Sequence, residues 1–194
     1  MKKHTIYNLP FKREREEKTN YRSRLKLLRS SKPRLVARLS SRNALAQIAA
    51  YGEEGDKIVA SASSKQLAKL GWKGNTGNLS AAYLVGLLLA KEAKKAKVAE
   101  AVYDIGRQTS VLGSRLYAVL KGAVDGGLEV PHSEEALPSE ERIKGRHIAE
   151  YAKMLKAKEP ETYKKRFAAM LKNGLNPEEI ESHFDSIKKK IEAL

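Results

Sequence analysis

Arg34-Leu35-Val36-Ala37-Arg38-Leu39-Ser40, Ala44-Leu45-Ala46-Gln47-Ile48-Ala49-Ala50-Tyr51 and Lys57-Ile58-Val59-Ala60-Ser61-Ala62-Ser63 are three short apolar-rich segments in succession. Apolar and branched residues bounded by turn formers mark strands. Ser41-Arg42-Asn43 supplies one turn and Gly52 to Asp56 the next, so the three segments predict an antiparallel meander. The middle segment is the ambiguous one, because its alanines favour helix.

Downstream the period changes. Asn78 is a good N-cap, and Leu79, Ala82, Tyr83, Val85, Gly86, Leu89, Ala90 and Ala93 recur at helical spacing up to Lys97. Lys91, Lys94, Lys95 and Lys97 fall at the carboxyl end, where cations suit the helix dipole. Val98 to Ile105 then predicts a buried strand, Gly106 to Gly113 a loop, and Ser114 to Val124 a helix ended by Gly126-Gly127. The fold class is therefore α/β: a mixed sheet, made of the meander plus one strand from a helix-strand-helix unit, packed on helices.

Two appendages flank this body. Thr19 to Arg29 predicts a basic, weakly apolar helix, broken at Ser30-Ser31-Lys32-Pro33 because proline disfavours helical geometry before it and has no amide to donate. After Val130-Pro131-His132 the texture is polar and helical: Glu140 to Lys158, Glu161 to Lys172 stopped by Asn173-Gly174, and a last helix opened at Pro177. The expected division is a basic arm over 1–34, an α/β core over 35–130 and a helical C-terminal extension over 131–194 without a core of its own.

The charge is loaded at the front. Residues 1 to 34 hold 12 Lys/Arg against 3 acids, whereas residues 129 to 194 hold 13 of each. So dense a like-charge run stays open until something neutralises it, and polyphosphate does so by releasing condensed counterions. This predicts an RNA-binding arm. Lys12, Arg13, Arg15, Arg22, Arg24, Lys26, Lys32 and Arg34 are its candidate phosphate contacts, arginine being favoured because its planar fork bonds two phosphate oxygens. Tyr7, Phe11 and Tyr21 interleave the charge and suit stacking on unpaired bases. Tyr21 has an alternative role in packing against Leu25.

Further candidates lie in the body: Arg42 in the first turn, Lys73, Asn75 and Thr76 before the long helix, and Arg107 after the Val98–Ile105 strand. Lys73 to Asn78 offers amides, a positive dipole end and a lysine, a natural phosphate seat, but lacks the Gly-Lys-Ser/Thr ending of a nucleotide-binding loop. The alternative there is a helix cap with a glycine entry, and Trp72 beside it reads as a packing anchor. Asp104 sits where open α/β sheets carry active sites. No second carboxylate, histidine or nucleophile stands near it in sequence, which favours a loop-fixing aspartate over a general base.

Other classes are excluded or weakened. The absence of cysteine rules out disulfides and thiolate metal sites, and His4, His132, His147 and His183 show no ligand spacing. No metal, cofactor, small-molecule substrate or catalytic residue is expected. The longest apolar run, Ala81 to Ala90, is about half a bilayer span, no apolar face accompanies the basic arm, and no secretory pattern opens the chain, so a cytoplasmic protein away from membranes is expected.

Tyr21-Arg22-Ser23-Arg24-Leu25-Lys26-Leu27-Leu28, Lys32-Pro33-Arg34-Leu35-Val36-Ala37-Arg38, Ala60-Ser61-Ala62-Ser63, Thr76-Gly77-Asn78-Leu79-Ser80-Ala81-Ala82-Tyr83-Leu84, Asp104-Ile105-Gly106 and Gly127-Leu128-Glu129-Val130-Pro131-His132-Ser133 occur in that order. Together they resemble the 5S-rRNA-binding proteins of the large ribosomal subunit, in their archaeal branch, from about residue 5 to the end. The resemblance implies a non-catalytic ribosomal protein that binds 5S rRNA in the central protuberance and attaches it to the large, 23S-type rRNA beside neighbouring ribosomal proteins. The long C-terminal helices resemble archaeal and eukaryotic members and depart from the shorter bacterial ones.

Overall fold

A computed structural model describes residues 8–194. Strands β1 (Arg34–Leu39), β2 (Ala44–Ala50) and β3 (Lys57–Ser63) form the expected meander. Arg34 faces Ala49 and Leu39 faces Ala44 across β1 and β2, and a bulge at Ile48/Ala49 shifts the register toward β3. Strand β4 (Val102–Asp104) adds parallel to β1, with Leu35 opposite Tyr103, giving a mixed sheet in the order β3-β2-β1-β4. Alternation sorts its faces. Leu35, Ala37, Ala44, Ala46, Ile48, Ala60 and Ala62 are buried on one side, whereas Arg34, Val36, Arg38 and Gln47 belong to the other.

The strand expected over residues 98–105 is shorter because its first half leaves β1. Glu100 bridges to Glu129, with the Ala101 amide donating to the Glu129 carbonyl at 2.9 Å.

Ahead of the sheet lie a single turn, α1 (Lys12–Arg15), and α2 (Tyr21–Leu28). Behind it, a short helix not anticipated from sequence, α3 (Ser64–Lys69), starts where Gln66 Oε1 accepts the Ser63 amide at 2.9 Å. Helix α4 (Leu79–Lys95) begins as expected, with Asn78 Oδ1 accepting the Ala81 amide at 2.8 Å. Every residue of α4 from Leu79 to Ala90 is buried. A helix apolar on all sides needs cover on all sides. The sheet covers one face, α5 (Arg115–Asp125) another and the C-terminal helices a third.

Helices α4 and α5 meet backbone to backbone. A Cβ on Gly86 would stand 2.0 Å from the Val119 carbonyl oxygen, and one on Gly122 would stand 2.0 Å from that of Tyr83. No side chain fits at either position.

The C-terminal segment is more broken than its sequence pattern suggests. The helix expected over 140–158 divides into α6 (Glu140–Lys144) and α7 (Arg146–Lys158) at Gly145, whose φ of 88° ends the first helix in left-handed geometry. The helix expected over 161–172 divides into α8 (Pro160–Arg166) and α9 (Ala168–Lys172) at Phe167, whose φ of −101° and ψ of 14° leave helical geometry; its buried ring meets Tyr163 at 5.4 Å. A 3-10 turn, Pro177–Glu179, precedes α10 (Ile180–Glu192). Ile180, Phe184, Ile187 and Ile191 form its apolar stripe, and Phe184 packs against Tyr83 of α4 at 5.6 Å. These helices share one apolar cluster with the sheet.

Candidate nucleic-acid interface

The uncovered face of the sheet is a charged floor, and α2 runs across it. Between them lies a groove of about 580 Å³ lined by Arg13, Lys18, Arg24, Lys26, Arg34 and Arg38, with Asp56 and Asp104 as its acids. None of the α2 residues is fully buried and Leu27 and Leu28 are only partly covered, so apolar packing holds this helix weakly. A polar anchor fastens it. Arg24 forks onto Asp56, donating to Oδ2 at 2.9 Å and Oδ1 at 2.8 Å. The arm, expected to stay open until phosphate arrives, therefore has an anchor within the protein itself.

Asp56 also accepts from Arg34 Nη2, and Arg34 Nη1 donates to Asp104 Oδ2 at 2.7 Å. Arg38 completes the set, bonding Asp104 Oδ1 at 3.2 Å and the Asp104 carbonyl at 2.9 Å. The hydrogen bond from Arg24, supported by that from Arg34, holds the Asp56 carboxyl below the usual carboxylate range despite partial burial. Three guanidinium groups around two carboxylates leave a net positive cluster.

Asp104 fixes its loop by accepting the Gly106 amide at 2.8 Å. Both of its oxygens are held by cations and that amide, which accounts for it as a structural anchor. The general-base reading finds no substrate-facing oxygen.

Arg34 departs from its expected role. Its side chain is 4% exposed and both terminal nitrogens are bonded to carboxylates, so it presents no fork to a phosphate. The reason is strand alternation: an arginine at the start of β1 on the groove face is brought over Asp104 of the neighbouring parallel strand. Arg24 keeps a 30% exposed side chain, but its fork is occupied by Asp56. Lys32 pairs with Glu100 at 2.6 Å.

Lys12, Arg13, Arg15, Arg22 and Lys26 are exposed. Arg29 joins them, and among the described residues none of these six has a carboxylate within ion-pair distance. Arg13 Nε donates to Thr19 Oγ1 at 3.0 Å, fixing the start of the groove. Tyr21 leans on Phe11, ring to ring at 5.1 Å, rather than on Leu25, which is largely exposed. Tyr7, with Lys2, Lys3 and His4, lies outside the described residues.

A second group gathers at the start of α4. Thr76 Oγ1 donates to the Arg42 carbonyl at 2.7 Å, and Asn75 Oδ1 accepts the Gly77 amide at 2.8 Å. Trp72 Nε1 donates to the Asn75 carbonyl at 3.3 Å, while its ring, 4% exposed, stacks on His183. The loop amides at Gly77 and Ala81 are thus capped by the loop's own side chains. Arg42 and Lys73 remain as exposed cations there. Arg107 lies beside the first group, 3.8 Å from Glu17 and next to Gly106, which lines the α2 groove.

Sequence reasoning missed Arg38 and Asp56. Arg38 was legible, since it lies four residues after Arg34 on one strand and so on the same face. Asp56 carries no local signal, because its partners come from α2 and β1.

Among the described residues, no group of three or more metal-ligating side chains assembles, and no helix is long and apolar enough to cross a membrane.

Residues 5–103 and 90–133 match the family model described as ribosomal large subunit proteins 60S L5 and 50S L18. The large ribosomal subunit protein uL18 of the archaeon Thermofilum pendens is 52% identical over 186 residues, 96% of this chain and 95% of that protein. The chain belongs to the uL18 family of large-subunit ribosomal proteins. As a uL18 protein it is a structural component of the cytoplasmic ribosome and not an enzyme, and its partners are ribosomal RNA and other ribosomal proteins. The helices beyond residue 133 lie outside the matched uL18 model, yet alignment over 96% of the chain carries the likeness into them.

Proposed function

We propose that this uL18 protein binds 5S rRNA with its basic arm and attaches it to the large, 23S-type rRNA in the central protuberance. In this reading residues 1–34 grip RNA, residues 35–130 supply the rigid platform, and residues 131–194 reach neighbouring RNA or protein. The observation that carries it is the set of exposed cations at Lys12, Arg13, Arg15, Arg22, Lys26 and Arg29, on α1, on α2 and just after it, none held by an internal carboxylate among the described residues, with Arg13 and Lys26 lining the α2 groove.

The ion-pair network gives part of this set its geometry. Arg24 and Asp56 fix α2 over the sheet, so Arg22 and Lys26 project from a positioned helix and lose less entropy on meeting phosphate. Arg34 acts from within, as an anchor, whereas Arg38 is held beside it by Asp104 with its side chain 42% exposed. Arg42, Lys73, Asn75 and Thr76 form a second contact beside α4, and Arg107 adds to the first.

The test is an equilibrium titration with 5S rRNA of the full chain and of an Arg15→Ala/Arg22→Ala/Lys26→Ala variant. Loss of three charge-assisted contacts should weaken binding about tenfold or more. Unchanged affinity would remove the arm from the interface.

A further inference from the structure

We propose that the groove between the Lys73–Asn78 loop and helices α7 to α9 is a pocket for one unpaired nucleotide of ribosomal RNA. The inference rests on the RNA-binding reading above and adds a site in which the C-terminal helices supply half the wall.

The groove has a volume of about 680 Å³, well within the range of small-ligand pockets. One wall is the turn and loop carrying Arg42 and Lys73. The other carries Tyr151 of α7, Arg166 of α8, Phe167, and Asn173 just after α9. One bond ties the walls together, Asn173 Nδ2 donating to the Lys73 carbonyl at 3.2 Å, and α10 holds the loop from behind, the Lys73 amide donating to His183 Nε2 at 3.1 Å. The opening is therefore held by the fold and needs no ligand to create it.

Its chemistry is one-sided. Arg42, Lys73 and Arg166 are exposed, no Asp or Glu lines the groove, and none of these three cations has a carboxylate within ion-pair distance among the described residues. Three uncompensated cations around one opening suit a phosphodiester.

The floor suits a base. Phe167 is 9% exposed and meets the Tyr151 ring edge-on, with centroids 6.3 Å apart and planes at 62°. Tyr151 is thereby fixed, yet 42% exposed into the groove. A positioned aromatic ring beside uncompensated cations is the arrangement that stacks an extruded base while holding its backbone. An acidic peptide would use the cations but leave the ring unused.

The experiment assembles the full-length chain with transcripts of 5S rRNA and of the large-subunit rRNA, irradiates the complex with ultraviolet light and maps nucleotide adducts by mass spectrometry. The proposal expects an adduct on the peptide carrying Tyr151, in addition to adducts on the arm. In parallel, Tyr151→Ala should weaken binding to the large-subunit rRNA about tenfold, Tyr151→Phe should restore it, and Arg166→Glu should weaken it with a shallower salt dependence.

Arm adducts with no adduct at Tyr151, together with unaltered binding by Tyr151→Ala, would overturn this pocket while leaving the 5S rRNA reading intact. A complex that fails to form at all would overturn both. Seating of an acidic segment of another ribosomal protein in the groove, seen as a Lys73-to-carboxylate crosslink in whole subunits, would also overturn it.

Discussion

Replacing Arg34 by methionine separates an internal anchor from a phosphate contact. Arg34 is 4% exposed and bonds Asp104, whose side chain is 7% exposed, and Asp56, which is 24% exposed. Removing one partner of a buried pair typically costs about 3 to 5 kcal/mol, because the other charge is left uncompensated. Here both carboxylates retain something: Asp104 keeps Arg38 and the Gly106 amide, and Asp56 keeps the fork of Arg24. Methionine also keeps much of the side-chain volume. The lower end of the range applies, about 3 kcal/mol. For a chain of this size that lowers the unfolding midpoint by about 6 to 12 °C. The assay is thermal unfolding by circular dichroism, paired with 5S rRNA titrations at several salt concentrations well below the midpoint. An internal anchor leaves the slope of log affinity against log salt unchanged. A phosphate contact reduces it by about 0.7 to 0.9. A reduced slope with an unchanged midpoint would refute the burial argument.

Asp56 should give the protein a distinct acid sensitivity. Its carboxyl titrates below the ordinary value near 4, so its ion pairs stabilise fully above that value and are lost as pH falls through the lower folded one. The stability difference between the wild type and Asp56→Asn should therefore be constant near neutrality and shrink in acid, read from unfolding midpoints between about pH 2 and 7; a difference that widens in acid contradicts the sign. Gly86→Ala, which on an ordinary helix surface would stabilise by helix propensity, should cost about 3 kcal/mol or more in urea unfolding, since the added methyl meets the Val119 carbonyl. Asn78→Ala should cost about 1 kcal/mol in the same assay by removing the cap of α4.

The meander was legible because each segment is rich in apolar and branched residues and each turn between them is polar, even where the alanines of β2 argued for helix. Those alanines serve packing instead: Ala44 and Ala46 are small enough for α4 to sit close over the sheet. Helix α4 was legible from its cap and period. The break at Gly145 was written locally, in a glycine that ends a helix in left-handed geometry, and was passed over; the one at Phe167 carries no such residue. The arm's charge was plain in the sequence, but the division of labour within it was not. Arg22 and Arg24 differ by two positions on one helix, and only the tertiary approach of Asp56 turns one into an anchor and leaves the other exposed. Likewise Arg34 reads as one more basic residue until β4 brings Asp104 beside it.

The slope of 5S rRNA affinity against salt measures the central claim most directly. Six exposed arm cations, Lys12, Arg13, Arg15, Arg22, Lys26 and Arg29, meeting phosphate should make log affinity fall with log salt at about −4 to −5. A nearly flat dependence, with affinity sustained as salt rises, would contradict an arm that works by gripping the RNA backbone.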